Sequence, residues 1–446
     1  MNKWIENSLG SLASIRRGIG YSESTLKNNP EDGRPYINMK SFIKDGGYNK
    51  KGLKFYSGYF ARADVVSCRD LLLVNTDVTL DGDIIGVPAY LPNHLQNEGA
   101  LFSHHVTRLS LSGKIEPKFL YYLLCINTYR RWMLKYARGT TVLMLDMGAI
   151  KRIPIRYPVT KSNQRKIAVI LTSIDTAIEK TEALIEKYQQ IKAGLMHDLF
   201  TRGVLPNGQL GPPREQAPEL YQQTAIGWIP KEWQCSRLGK ILSESGGYLQ
   251  TGPFGSQLHA NEYSFEGVPV VMPQDINNGS IEENSIARIP EERAMSLSRH
   301  RLQHGDVIIA RRGELCRAAA VSRRETDWIC GTGCFLLRLG KTKMNHCFFS
   351  LAYRYDFIQR QIEGLAVGTT MPSLNNSVMS KLYFPVPQPL EQDVIISKID
   401  TNSRTIDKLE KQVVKLREIK LGLMQDLLTG KVPVKVDDPV ADSVNA

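Results

Sequence analysis

Two tandem α+β units are the fold this sequence predicts, each a globular region followed by a long helix, with the two helices pairing as an antiparallel coiled coil. Three observations predict it. A stretch recurs roughly 229 positions downstream. Gly139-Thr140-Thr141 and Tyr157-Pro158 return 229 positions on as Gly368-Thr369-Thr370 and Val386-Pro387, and Gln164 and Ile191 to Leu199 return 228 positions on as Gln392 and Ile419 to Leu427. An offset of 229 also relates Trp4, Leu9 and Gly10 to Trp233, Leu238 and Gly239. Within each copy, short β-type runs precede a helical stretch, which is the order of an α+β unit. Each copy then ends in a sustained apolar repeat of alternating four- and three-residue steps, the signature of a coiled-coil seam.

Taken in order, residues 1–158 form the first globular region. Asp70 to Val74 and Asp83 to Val87 read as buried strands bounded by Asp and Gly. Pro117 opens a helix running to Ala137, with Pro in the first turn where helices accept it. Residues 159–203 form the first long helix. Its seam runs Leu171, Ile174, Ile178, Thr181, Ile185, Tyr188, Lys192, Leu195 and Leu199. Residues 204–230, with Pro206, Pro212, Pro213 and Pro218, form a linker long enough for the chain to reverse.

The second globular region, 231–388, repeats the plan. Strands are predicted at Asp306 to Ala310 and Cys334 to Leu339, then a helix from His346 to Ala366. The second long helix, 389–431, carries Ile395, Ile399, Asn402, Ile406, Leu409, Val413, Leu416, Lys420, Leu423 and Leu427 on its seam. Each helix would be roughly 55 Å long. Thr181, Asn402, Lys192 and Lys420 are polar seam positions, which cost stability and fix register. Each helix packing on a core of its own is the alternative. Residues 432–446 are predicted to be a disordered tail.

Composition narrows the function. The chain has 446 residues, a formal charge of +12 and 42% hydrophobic residues. That is an ordinary globular composition with a charge suited to a polyanionic partner. Seven cysteines are scattered without CxxC pairs, so no disulfide framework or metal site is implied and a reducing cytoplasm is expected. The first residues lack the apolar run of a signal peptide, and no run is long enough to span a membrane.

No catalytic constellation is visible. A phosphate-binding G-x-x-x-x-G-K-[ST] loop, H-E-x-x-H, G-x-S-x-G and the Asn/Asp-Pro-Pro-aromatic motif of amino-methyltransferases are all missing. His104-His105 precede a strand and read as fold residues, and Cys330 and Cys334 as strand packing. Loops suited to nucleic acid are present instead. In the second unit, Gln250-Thr251, Phe254, Ser256-Gln257 and His259 surround a Gly-Pro-Phe-Gly turn, and Arg311-Arg312-Gly313 and Arg317 follow a strand. Gln matches adenine bidentately, Arg matches guanine and phosphate, and Ser and Thr reach either. In the first unit, Arg16-Arg17-Gly18 and Lys50, Lys51 and Lys54 supply comparable charge. Thr140-Thr141 and Thr369-Thr370 occupy matched loops that either touch DNA or simply end a helix.

These residues resemble the specificity subunit of type I restriction–modification systems over nearly the whole chain. The resemblance rests on Thr251 to Ser256, Gly305 to Gly313, Ile329 to Cys334, Ile226 to Pro230 with Trp233, and the two Gly-Leu-Met-x-Asp-Leu helix ends. The first unit lacks the Gly-Pro-Phe-Gly-Ser loop, as befits two domains that read different sequences. The resemblance implies two target-recognition domains that each read one half of a split double-stranded DNA sequence. It also implies that the helices set the spacing and dock two modification (methyltransferase) subunits. S-adenosylmethionine would then be bound by those subunits, and ATP and Mg by restriction subunits. No cofactor is implied for this chain, which is expected to be a non-enzymatic, cytoplasmic component. The alternatives are the specificity component of a fused methyltransferase–nuclease, and a coiled-coil adaptor whose globular domains bind proteins.

Overall fold

The computed structural model describes residues 3–68, 70–79, 81–365 and 373–435. The chain forms two compact units, one comprising residues 1–183 and 410–446, the other residues 184–409.

In the first unit a four-stranded antiparallel sheet runs in the order Ala13–Arg17, Val106–Leu111, Asp70–Val74, Pro88–Ala89. Asp70–Val74 is buried on both faces, as predicted. Leu71 and Leu73 enter one core, with Phe119, Leu120 and Leu123, while Leu72 and Val74 enter another, with Ile37 and Phe102. A second sheet, in the order Leu26–Lys27, Lys54–Tyr56, Arg34–Ile37, Leu101–Phe102, lies beyond that second core. Trp4–Ser8 pairs with Pro154–Pro158 and closes the unit.

The second unit repeats this wiring. Its sheet runs Tyr248–Thr251, Cys334–Arg338, Val307–Ala310, Ala318–Ala320. Val307 and Ile309 face one core and Ile308 the other. Gln234–Arg237 pairs with Tyr383–Val386, as Trp4–Ser8 does with Pro154–Pro158. The repeated sequence positions do repeated work. Gln164 and Gln392 are both fully buried clamps. Gln164 donates to the Pro158 carbonyl and accepts from the Glu116 N–H; Gln392 donates to the Pro387 carbonyl and accepts from the Asn345 N–H. Leu9 and Leu238 have no exposure, and their N–H groups bond Ile153 and Leu382 at 2.8 Å.

Four elements differ from expectation. Residues 83–87 form a turn, with only Pro88–Ala89 extended. The fully buried Asp77 carboxylate organises that turn by accepting the N–H groups of Thr79 and Ile84, a contact that an apolar run does not announce. The predicted helices near 117–137 and 346–366 are each broken in two. The pieces are Pro117–Cys125 with Asn127–Tyr136, and His346–Tyr353 with Asp356–Leu365. The breaks at Ile126 and Tyr355 match through the 229 offset. Each break lets the second segment bury its own face, with Tyr129 and Met133 in one unit and Phe357, Ile358 and Ile362 in the other. Such packing outweighs local helix preference. Residues 204–230, expected as an irregular linker, contain the hairpin Tyr221–Thr224 with Gly227–Pro230, and Ile226 and Ile229 join the second unit's core.

The long helices span Lys161–Arg202 and Pro389–Leu428. Every seam residue named from the sequence is buried or half-buried. Leu171, Ile178, Ile399, Ile406 and Val413 are buried, and Ile174, Ile185, Tyr188, Leu409 and Leu416 are half-buried. Within the first unit, Lys420 pairs with Asp175 at 2.6 Å and Arg417 with Glu182 at 2.7 Å. No described helix is long and apolar enough to cross a membrane. Thr369 and Thr370 and most of the predicted tail lie outside the described residues.

Candidate nucleic-acid interface

Arg16-Arg17 of the first unit and Gln250-Thr251 and Arg311-Arg312 of the second stand at a rim where four backbone segments meet in the same way. Lys50, Lys51 and Lys54 instead lie on or just before a strand of the first unit's second sheet. In the first unit, Arg17 pairs with Thr107, and the Gly18 N–H bonds the Val106 carbonyl at 3.1 Å. The Asn75 N–H bonds the His105 carbonyl, and the Leu145 N–H bonds the Asn75 carbonyl. In the second unit, Thr251 pairs with Phe335, and the Gly252 N–H bonds the Cys334 carbonyl at 2.9 Å. The Arg311 N–H bonds the Gly333 carbonyl, and the Leu374 N–H bonds the Arg311 carbonyl. Arg17-Gly18 is thus the structural equivalent of Thr251-Gly252, Asn75-Thr76 of Arg311-Arg312, and His104-His105 of Thr332-Gly333.

The two glycines are required at the crossing. A Cβ on Gly18 would lie 2.2 Å from the Phe102 carbonyl oxygen, and one on Gly252 would lie 2.0 Å from that of Gly331. The strand end therefore passes close over the neighbouring loop, and the residue before each glycine stands at the rim.

Side chains on this frame fall into held and free groups. Arg16 is held by the buried Asp64 carboxylate through two contacts of 3.1 and 2.6 Å. Burial alone would raise the Asp64 pKa. The Ala61 N–H and the Arg16 guanidinium outweigh burial and keep the carboxyl below its ordinary value. Arg17 gives its Nε–H to the His104 carbonyl at 2.7 Å and is otherwise exposed. Lys54 donates to Asn28, while Lys50 and Lys51 stand exposed on a turn capped by Asn49. Thr140 and Thr141 are exposed in a loop closed by paired hydrogen bonds between Arg138 and Met144.

In the second unit Gln250 is turned inward onto the Arg299 carbonyl and His300. Phe254, Ser256, Gln257 and His259 line an exposed loop in which Gln257 accepts the Phe254 N–H. Arg311 lies over the Phe335 ring, with its Nε–H on the Leu374 carbonyl. Arg317 is paired with Glu314. Arg312 is exposed, and its backbone bridges to Ser373. Arg17 and Arg311 supply charge held in fixed directions, as phosphate and base-edge contacts need, while the Arg312 side chain has no partner among the described residues.

Sequence reasoning set aside His104-His105 and did not single out Tyr21 or Thr76. The signal was positional: the His pair sits immediately before a strand, where the other unit has Thr332-Gly333.

The sequence matches the family model described as type I restriction modification DNA specificity domain over residues 1–190 and 230–418. The chain belongs to this family. Each unit therefore carries a DNA specificity domain, and the chain is a DNA sequence-recognition subunit. It is similar to the type I restriction enzyme MjaVIII specificity subunit of Methanocaldococcus jannaschii, with 23% identity over 75% of each chain. It is also similar to the EcoBI specificity subunit of Escherichia coli, with 22% identity over 92% of this chain and 82% of that one. Among solved structures, the S subunit of a type I restriction–modification system from M. genitalium has the same fold. That match covers 97% of both chains at a TM-score of 0.59 and 17% identity.

Proposed function

We propose that the chain is the non-catalytic reading and scaffold subunit of a type I restriction–modification complex, each unit reading one half of a bipartite DNA target. The observation that carries this reading is the rim built twice on one backbone pattern with different polar side chains. A shared frame with different groups is what two domains need to approach one duplex alike and read different bases. The long helices would pair antiparallel, set the half-site spacing and dock two methyltransferase subunits. Supporting the pairing, residues late in the second helix (Arg417, Lys420) meet residues at the middle and in the first half of the first helix (Glu182, Asp175) in reversed order. S-adenosylmethionine would act on the methyltransferase subunits, and ATP and Mg on restriction subunits.

The test is a domain replacement in the full chain, assembled with its methyltransferase partner and read by genome-wide mapping of adenine methylation. Exchanging residues 1–158 for those of a relative should change one half of the methylated sequence and keep the other. A change in both halves overturns independent reading, and methyl transfer by the purified chain alone overturns the scaffold role.

A further inference from the structure

In the first unit an aromatic ladder runs from the second sheet to the rim. Tyr56 stacks on Tyr36 at 5.2 Å, and Tyr36 meets Tyr21 edge-on at 5.9 Å. Tyr21 then meets His104 at 5.7 Å, and His104 meets His105 at 3.8 Å. Tyr21 is 42% exposed and His105 half-buried at the outer end. His105 Nδ1 lies 2.8 Å from Thr76 Oγ1, and the Thr76 hydroxyl donates to Met39 Sδ at 3.3 Å. A hydroxyl has one proton. With that proton on the sulfur, the Thr76 oxygen accepts Nδ1–H, and both of its contacts are hydrogen bonds. The opposite tautomer would leave the sulfur contact without a proton. Nε2 is then an acceptor in a fixed direction, with no partner among the described residues. Burial, then the neighbouring His104 and Arg17, lowers the His105 pKa, which keeps the ring neutral. Thr76 also pairs with Met144, so the exposed Gly139-Thr140-Thr141 loop is tied to the same spot.

We propose that His105 is a base-reading residue of the first unit, presenting Nε2 as an acceptor to an exocyclic amine on the major-groove edge. Adenine N6 and cytosine N4 are the amines offered there. Tyr21 and His104 fix the ring, and Arg17 supplies the adjacent cation for phosphate. The second unit has Gly333 at this position and no side chain to do the same. The inference rests on the DNA-reading function proposed above.

The experiment uses the full chain with its methyltransferase partner and maps adenine methylation for wild type, H105F and T76V. H105F keeps a flat ring and removes the nitrogen. It should lose roughly tenfold or more discrimination at one base pair of one half-site, leaving the other half-site intact. T76V keeps the imidazole and frees its tautomer, and should relax the same base pair less. If H105F abolishes methylation altogether, T76V decides: relaxation at one base pair supports the inference and unchanged selectivity overturns it. Unchanged selectivity in H105F, or an equal loss on all sequences, also overturns it. Absence of sequence-specific methylation by the wild-type complex would instead sink the function on which it rests.

Discussion

The two rims share a backbone and differ in where their charge sits. The first unit places Arg16-Arg17 on the strand end and Asn75-Thr76 on the crossing segment. The second places Gln250-Thr251 on the strand end and Arg311-Arg312 on the crossing segment. The hydrogen bonds that recur in both units are main-chain to main-chain, while side-chain bonds such as Arg17 to the His104 carbonyl and Arg311 to the Leu374 carbonyl differ between them. The recurring main-chain bonds are indifferent to side-chain identity, so the shared backbone pattern holds although the cations sit on different segments. What the frame does demand is glycine at 18 and 252, and those are the positions that repeat.

The largest asymmetry lies beneath the rim. Asp306 and Asp70 start equivalent strands, and both are buried. Asp306 takes a bidentate contact from Arg338, with both distances 2.7 Å. Asp70 takes a hydroxyl from Ser110 at 2.5 Å, with Arg108 only within 3.7 Å. Asp306→Ala removes a buried carboxylate from a bidentate pair whose Arg338 side chain is 28% exposed and should cost the second unit about 3 kcal/mol. Asp70→Ala should cost the first unit about 1–2 kcal/mol. Hydrogen-exchange protection of Val307–Ala310 and Asp70–Val74 in the respective variants checks this, and equal losses would show that the bidentate pair adds nothing.

The sheet anchors and the long helices were legible in the sequence because their signals are local. A strand buried on both faces is a short apolar run, and a helix seam repeats every three or four residues. Asp83 to Val87 has the composition of such a strand, but its conformation is set by Asp77, whose role appears only once the turn has formed. The helix breaks at Ile126 and Tyr355 carry no Pro or Gly, and answer to the cores they pack against. At the rim, residue type identified Arg and Lys. It could not tell that Arg16 is committed to Asp64, 48 positions away, while Arg312 is left exposed. Nor could it join His105 to Thr76, because that contact depends on which strands neighbour each other.

Arg312 sharpens the comparison at the next level of effect. It is exposed where the first unit has Thr76, and its backbone is held by Ser373. If it reads guanine, Arg312→Ala should lose about 1–3 kcal/mol of discrimination at one base pair of one half-site. Competition binding of the assembled complex to single-substitution duplexes checks this. A loss equal across all duplexes would make Arg312 a phosphate contact and leave the second rim without a free base-reading arginine among the described residues.

The smallest expected effect lies at the edge of the second sheet. Lys50 and Lys51 lead into Lys54–Tyr56 and are exposed, while the segment leading into Ala287–Ile289 contains Glu283, tied to Arg288 and Arg324. The first unit thus offers free cations where the second holds neutralised charge. Phosphate contacts release counterions, so Lys50→Ala and Lys51→Ala should each lower the slope of log affinity against log salt by about 0.9. Over a change from roughly 50 to 200 mM salt, each variant should lose about threefold less affinity than wild type. The loss at fixed salt should be the same on cognate and non-cognate DNA, since a lysine on phosphate carries no base information. Glu283→Gln in the second unit should leave the slope within error, because it removes charge already paired with arginine. A changed slope in Glu283→Gln and none in the lysine variants would place the electrostatic footprint on the opposite unit.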